Sequence, residues 1–302
     1  MADAACNIGF SRAPLREVDG IPVFCETDRY TTNYEKVALD HLAAMRPGVD
    51  NPFIPDELWK TLDSSTRALV ERHTAPGGSV LDVGVGLGRV LGPLTQYRRF
   101  GVDLSLDYLR HAGEAGIEVA CARAESLPFA DGVFDTVITA DVLEHVFDLN
   151  LALRELIRVL KPGGCLIIRV PNKEDLEVYL RDDLPYEFIH LRAFDLHGLR
   201  LLLAKVFGMA FVEGAEVGPH LQGAPRLRLR LLPESLREAA RSLARKHWLC
   251  YWPVRAALAL SEEGFLVWLS RVQRRWPDRY REIAPVVIMG IEFNAVFRKA
   301  GR

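Results

Sequence analysis

The sequence predicts an α/β chain on a doubly wound, mostly parallel sheet of seven strands, with a helical cap before it and a helical insert before the last strand. Three observations carry that expectation. Short apolar runs suited to buried strands alternate with longer stretches of helical period from Ser79 onward. Glycines at 84, 86 and 88 directly follow the first of those runs, where a strand turns toward a helix. The composition, 49 % apolar and 26 % charged over 302 residues, is that of an ordinary globular chain with ample core.

The elements follow in order. Residues 1–28 have no clear period and read as an irregular lead-in. Arg29–Met45 places Tyr30, Tyr34, Val37 and Leu42 near one helical face, and a second helix runs from Pro55 to His73 with acids in its first turn. Val80 and Leu81 begin the first strand, Asp82 closes it, and Val90–Tyr97 suits a short helix. The second strand ends in Asp103, and Ser105 can cap the helix that begins at Leu106. Ile117–Ala120 and Phe134–Thr139 are the third and fourth strands. Val142, Leu143, Val146, Leu149, Leu153, Leu156 and Leu160 continue one helical face until Lys161-Pro162-Gly163-Gly164 stops it, and Cys165–Val170 is the fifth strand. Asp195 caps a helix that Gly208 ends, Ala210–Val217 is the sixth strand, and Val286–Arg298 is the last. The expected organisation is therefore 1–74 lead-in and helical cap, 75–217 core, 218–285 helical insert, and 286–302 final strand and tail.

The spacing of the loop narrows its ligand. A dinucleotide fingerprint would need its third glycine at position 89, which is Arg89. The pattern present is D-x-G-x-G-x-G, and nineteen residues after Gly84 stands Asp103, an acceptor-only carboxylate at the tip of the neighbouring strand, suited to two ribose hydroxyls. This loop, together with the run FDTVITADVLEHV through ELIRVLKPGGCLIIRVPN, resembles class I S-adenosylmethionine (SAM) methyltransferases, of the type-11 or UbiE-like small-molecule group, over about residues 75–215.

The resemblance implies a Rossmann-like core, SAM as cofactor and transfer of its sulfonium methyl. It places Asp82, Gly84, Gly86 and Gly88 near the methionine moiety, Asp103 and Leu104 at the ribose, Ala124 and Glu125 near adenine, and Ala140 and Asp141 along the methionine and methyl. The family's usual aspartate toward the adenine amino group is replaced by Arg123, while Ala124, Glu125, Leu127, Pro128 and Phe129 match. N-terminal helices in such proteins lie over the ligand cleft, which brings Tyr30 and Tyr34 toward it or leaves them as half-buried helix aromatics.

A sulfonium methyl is already activated, so alignment supplies most of the rate, and a base is needed only if the acceptor must lose a proton. His145 and His190 are the candidates for that proton, against structural roles for each. His190 lies in an H-L-R-x-F segment that resembles those of family members with sugar, lipid or small-molecule acceptors. A hydroxyl on a sugar, lipid-linked or secondary-metabolite acceptor is the expected target. An RNA or protein methyltransferase, or a catalytically silent SAM-fold interaction protein, are the other readings. No N-P-P-Y tetrad follows the fourth strand, and nucleic acid is not an expected partner.

Charge and cysteines bound the rest. Five widely spaced cysteines with no C-x-x-C suggest neither a zinc knuckle nor a disulfide framework, and no metal is expected. The net charge of −2 is uneven: residues 219–302 carry 16 Lys/Arg against 7 Asp/Glu. The insert also holds four of the five tryptophans, and fits an acceptor lid, a homodimer face or a surface for an anionic or membrane-associated carrier, besides a plain solvated face. No leader or spanning segment is apparent, so a cytoplasmic location is expected.

Overall fold

The computed structural model describes residues 9–44, 56–180, 184–221, 271, 273–278 and 288–301. Five α-helices and nine strands occur among them: β1 (Arg16–Val18), β2 (Ile21–Val23), α1 (Arg29–Ala44), α2 (Asp56–His73), β3 (Ser79–Val83), β4 (Arg98–Asp103), α3 (Leu106–Glu114), β5 (Glu118–Cys121), β6 (Phe134–Ala140), α4 (Leu149–Val159), β7 (Leu160–Pro171), α5 (Leu196–Lys205), β8 (Ala210–Leu221) and β9 (Ile288–Arg298). The sheet order is β1-β2-β5-β4-β3-β6-β7-β9-β8. Strands β5, β4, β3, β6 and β7 are mutually parallel, and β9 runs antiparallel to β7. The chain winds outward from β3 through β4 to β5, then returns to β6 on the other side. The crevice between the carboxyl ends of β3 and β6 is thus a topological switch point, where such sheets bind ligands.

The strand pattern explains the two cores. Leu81, Val137, Leu166 and Ile168 face α4 and α5, packing with Leu153, Leu156, Leu199 and Leu203. Val80, Ile138 and Ile167 face the other way, onto Leu69, Val70, Leu109 and Ala112 of α2 and α3. Strands buried on both faces read as continuous apolar runs, as these do.

Three expectations need correction. The lead-in is not irregular throughout: Arg16–Val18 and Ile21–Val23 form a hairpin, and Val23 pairs in parallel with Cys121, adding two strands to the seven expected. Its two-residue loop, Asp19-Gly20, has φ of 51° and 78°, the both-positive geometry that suits strand twist. Residues 90–97 form successive turns rather than a helix, because Gly92 and Pro93 interrupt them after one bond from Gly92 N–H to Gly88 O (2.7 Å). The helix expected from Val142 begins only at Leu149, where the Asp148 side chain accepts from the Leu151 N–H. The residues before it are held in turns by side chains described below.

The chain divides into two compact units, Met1–Gly218 with Glu292–Arg302, and Pro219–Ile291. Most of the 218–285 segment read as a helical insert lies outside the described residues; among those described, 271, 273–275 and 277–278 are helical. No helix among the described residues is long and apolar enough to cross a membrane.

Candidate active site

The glycine loop is fixed to the neighbouring strand by its own backbone. Gly84 and Val85 N–H groups donate to Val102 O (2.8 and 3.0 Å), and Gly86 N–H donates to the Asp103 carboxylate (2.9 Å). Gly84 has φ +83°, and a Cβ there would stand 2.1 Å from Val142 Cγ2, so the loop after β6 packs directly on it. Gly86, at φ +50°, faces open space. A side chain at 86 would fill the very space that a ligand lying on the loop would use.

Asp103 is doubly engaged. Its other oxygen accepts from Leu104 N–H (2.8 Å) and Ser105 N–H (3.0 Å), while Ser105 itself caps α3. Burial pushes its carboxyl up, against those three backbone donors. Asp82, almost fully buried, is pushed well above the usual carboxylate range by burial, with Asp103, Asp63 and Asp141 adding to it. One Asp82 oxygen and one Asp141 oxygen are buried without a hydrogen-bond partner among the described residues. Asp141 sits at φ +57° where β6 ends. Three carboxylates thus ring a glycine loop at the ends of β3, β4 and β6.

Behind this ring lies Arg169, 2 % exposed near the carboxyl end of β7. Its guanidinium reaches Asp63 (3.1 Å), Asp141 (2.7 Å), Glu292 (2.9 Å) and the Thr66 hydroxyl (3.1 Å). Arg89, the residue in place of a third fingerprint glycine, approaches Asp63 (3.4 Å) and stacks 3.8 Å over Trp59. One buried cation joining four elements holds the strand ends in register. Sequence reasoning passed over it, although an arginine inside the apolar run CLIIRV was a visible signal.

The adenine-side candidates are placed differently. Arg123 pairs with Asp28 just before α1 and lies 5.2 Å from the Tyr30 ring centre. Glu125 accepts from the Phe147 N–H (3.2 Å), and Ala124 lies in the core. Ala140 ends β6 opposite Arg169.

The loop after β6 carries Glu144 and His145, and residues 185–192 bring His190 to them. Asn33 of α1 clamps that segment, donating to Phe188 O (2.8 Å) and accepting from Glu187 N–H (2.8 Å). Leu191 N–H donates to Glu144 O (2.8 Å), and Arg192 donates to Leu143 O (2.9 Å) and to Val146 O. These bonds explain the H-L-R segment: its Leu backbone and Arg side chain fasten the Glu144-His145 turn.

The two imidazoles lie with ring centres 4.7 Å apart. His145 Nδ1–H donates to Ile189 O (2.8 Å), which leaves Nε2 as the lone-pair atom. Burial, then neighbouring His190, pull its pKa down to about 4. His190 Nδ1 contacts Glu174, whose other oxygen accepts from the Tyr179 hydroxyl at 2.5 Å. Burial pushes Glu174 up, but the bonds from His190 and Tyr179 outweigh it and hold the carboxyl below its ordinary range. Glu174 and Tyr179 carried no sequence signal. Tyr30 is buried with its hydroxyl donating to His145 O (3.2 Å), and Tyr34 stands edge-on to His145 at 5.4 Å.

Residues 81–168, spanning β3 to β7, match the methyltransferase domain family Methyltransf_11. The chain is 37 % identical over 118 residues to a demethylmenaquinone methyltransferase of Corynebacterium urealyticum, covering 38 % of this chain and 49 % of that protein. It is 33 % identical over 171 residues to a ubiquinone/menaquinone biosynthesis C-methyltransferase of Vibrio cholerae, covering 50 % of this chain and 63 % of that protein.

Residues 81–168 match a methyltransferase domain, which supports a class I SAM-dependent methyltransferase core there.

The chain spans about half the length of the first of these relatives and under two thirds of the second. A solved [4+2]-cyclase, SpnF, shares the fold at a TM-score of 0.54 and 19 % identity, over 96 % of this chain and 100 % of that one. One fold therefore serves more than one reaction, and the site must argue the chemistry. Family and fold imply SAM as methyl donor. The residues would fit it: a loop open at Gly86, with the carboxyls of Asp82, Asp103 and Asp141 near it, suits a ligand that carries an ammonium, a sulfonium and ribose hydroxyls.

Proposed function

We propose that this protein transfers the methyl group of SAM to a small-molecule acceptor bearing an ionisable hydroxyl. The observation that carries the reading is the glycine loop tied to Asp103 through Gly86 N–H and flanked by partnerless oxygens of Asp82 and Asp141. When bound, SAM supplies an already activated methyl. Asp82, Gly84, Gly86 and Gly88 would hold the methionine moiety, Asp103 and Leu104 the ribose, Ala124 and Glu125 the adenine side, and Ala140 and Asp141 the methionine and methyl.

On the acceptor side, His145 and His190 sit as the groups that orient a hydroxyl and take its proton. Neutral His145 is an acceptor through Nε2, and Glu174 fixes the tautomer and orientation of His190. Tyr30, Tyr34 and Phe147 supply aromatic walls beside them, with Tyr30 and Phe147 ring centres 4.3 Å apart. The relatives are named for demethylmenaquinone and for C-methylation in ubiquinone and menaquinone biosynthesis; this proposal instead takes a hydroxyl of a sugar, lipid-linked or secondary-metabolite acceptor. The basic stretch 219–302 supports an anionic group on the acceptor or its carrier, or a face between two copies.

Incubation of the purified protein with methyl-labelled SAM and a panel of phenols, quinols and sugars tests the reading. Label in a product, with S-adenosylhomocysteine formed in equal amount, is the expected result. Tight SAM binding with no transfer to any hydroxyl compound would favour the interaction-protein reading.

A further inference from the structure

Glu144 is fully buried, yet neither carboxylate oxygen has a hydrogen-bond partner among the described residues. A buried carboxylate with no partner is costly, and a bound ion is one of the few arrangements that relieve that cost. Beside it stand His145 and His190, and one potential ligand atom from each of the three lies within 4.8 Å of the others. Each imidazole is already held from its far side. His145 Nδ1–H is bonded to the Ile189 carbonyl, and His190 Nδ1 to Glu174. Both Nε2 atoms are thereby left as lone-pair donors, the arrangement in which metal-binding histidines are oriented by a carbonyl or carboxylate behind them. The backbone reinforces it, because Leu191 N–H to Glu144 O joins the two segments that carry the three side chains.

We infer that Glu144, His145 and His190 form a binding site for a divalent first-row transition cation. Ligands about 2.1 Å from such an ion sit roughly 3–4 Å apart, so modest side-chain rotation closes the site. Two imidazoles and one carboxylate favour zinc, manganese, iron or cobalt over calcium or magnesium, and leave open positions on the ion.

An acceptor hydroxyl can take one of these positions. With the cation bound, both Nε2 lone pairs are occupied, so the ion would replace direct proton uptake by the histidines: the hydroxyl proton would leave to water while the oxygen keeps the electron pair. That role rests on the methyl-transfer reading; the binding of the cation does not. The spacing does not announce a cation site, since Glu144 and His145 are adjacent while His190 lies 45 residues further on.

The test uses the full chain after treatment with a chelator. Cobalt(II) is titrated by visible absorption, and manganese and zinc by calorimetry, on the wild type and on the Glu144→Gln, His190→Gln and Glu174→Gln variants. His197→Asn, on the exposed face of α5, controls for adventitious histidine binding. One cation per chain is expected. Affinity should fall by about 100-fold or more in E144Q and H190Q and about 10-fold in E174Q, and stay unchanged in H197N.

Absence of a cobalt spectrum in the wild type, or an affinity in E144Q and H190Q equal to that of the wild type, would overturn the inference. If E144Q does not fold, as judged by circular dichroism, H190Q decides alone. SAM binding measured on the same samples separates the two proposals. Cation binding without SAM binding would leave this site standing and remove the methyl donor.

Discussion

The two sides of the cleft are built by different means. On the donor side, backbone does the work: Gly84, Val85 and Gly86 N–H groups reach β4 within twenty residues of sequence. On the acceptor side, side chains from distant segments converge: Asn33 on 188, Arg192 on 143, Glu174 on His190. A local backbone device leaves a spacing pattern that can be read. A long-range network of side chains leaves only single residues, each with an ordinary explanation. On the proposed function, the donor side is the place for a ligand common to many proteins, and the acceptor side the place where this chain sets its own chemistry.

The largest expected effect falls where the two sides meet. Arg169→Met should cost about 3–5 kcal/mol in chemical denaturation, because Asp63, Asp141 and Glu292 lose their common cation inside the protein. A cost below 1 kcal/mol would mean that the network does not join the two sides.

Next come two substitutions in one loop that should behave differently. Gly84→Ala drives a Cβ into Val142 from a left-handed conformation and should destabilise the fold by about 3 kcal/mol. Gly86→Ala meets no protein atom and should cost only about 1 kcal/mol of stability, yet weaken SAM binding roughly tenfold or more. Equal SAM affinity in G86A and wild type would blur the distinction between packing and ligand-facing glycines.

The acceptor side should show itself in pH. With its folded-state pKa lowered to about 4, His145 stays neutral while the unfolded chain takes up a proton below its ordinary 6.5. Its contribution to stability is present above pH 6.5 and lost as pH falls toward 4, by roughly 3 kcal/mol at most. Denaturation midpoints of wild type and His145→Gln in chelator should converge over that window. Parallel curves would show that the imidazole is not held neutral.

The smallest effect belongs to Arg123→Gln. Its guanidinium is turned to half-exposed Asp28, so stability should change by less than about 1 kcal/mol and SAM affinity by less than about threefold. A larger loss of affinity would place Arg123 on the donor side after all.

How much of this was legible follows the same division. The central strands and the glycine loop are written in contiguous residues, apolar runs ended by Asp82 and Asp103, and the fold class followed from them. The β1–β2 hairpin was also written locally, in the Asp19-Gly20 turn, but strands of three residues are too short to show a period. The helix expected from Val142 was misplaced because Val142, Leu143 and Val146 do bear a helical period. Tertiary bonds from Arg192 and Leu191 hold that stretch in turns instead. Within the site, His145 and His190 could be nominated one at a time, but their pairing depends on α1 clamping residues 185–188, which no spacing encodes.

Calorimetric titration of SAM into the wild type and into Asp103→Ala tests the central claim most directly. The account predicts one molecule bound per chain to the wild type and an affinity roughly tenfold or more weaker in the variant, since the carboxylate holds the loop through Gly86 N–H and is proposed to meet the ribose. No heat of binding to the wild type at millimolar SAM, or equal affinities for the two proteins, would contradict it.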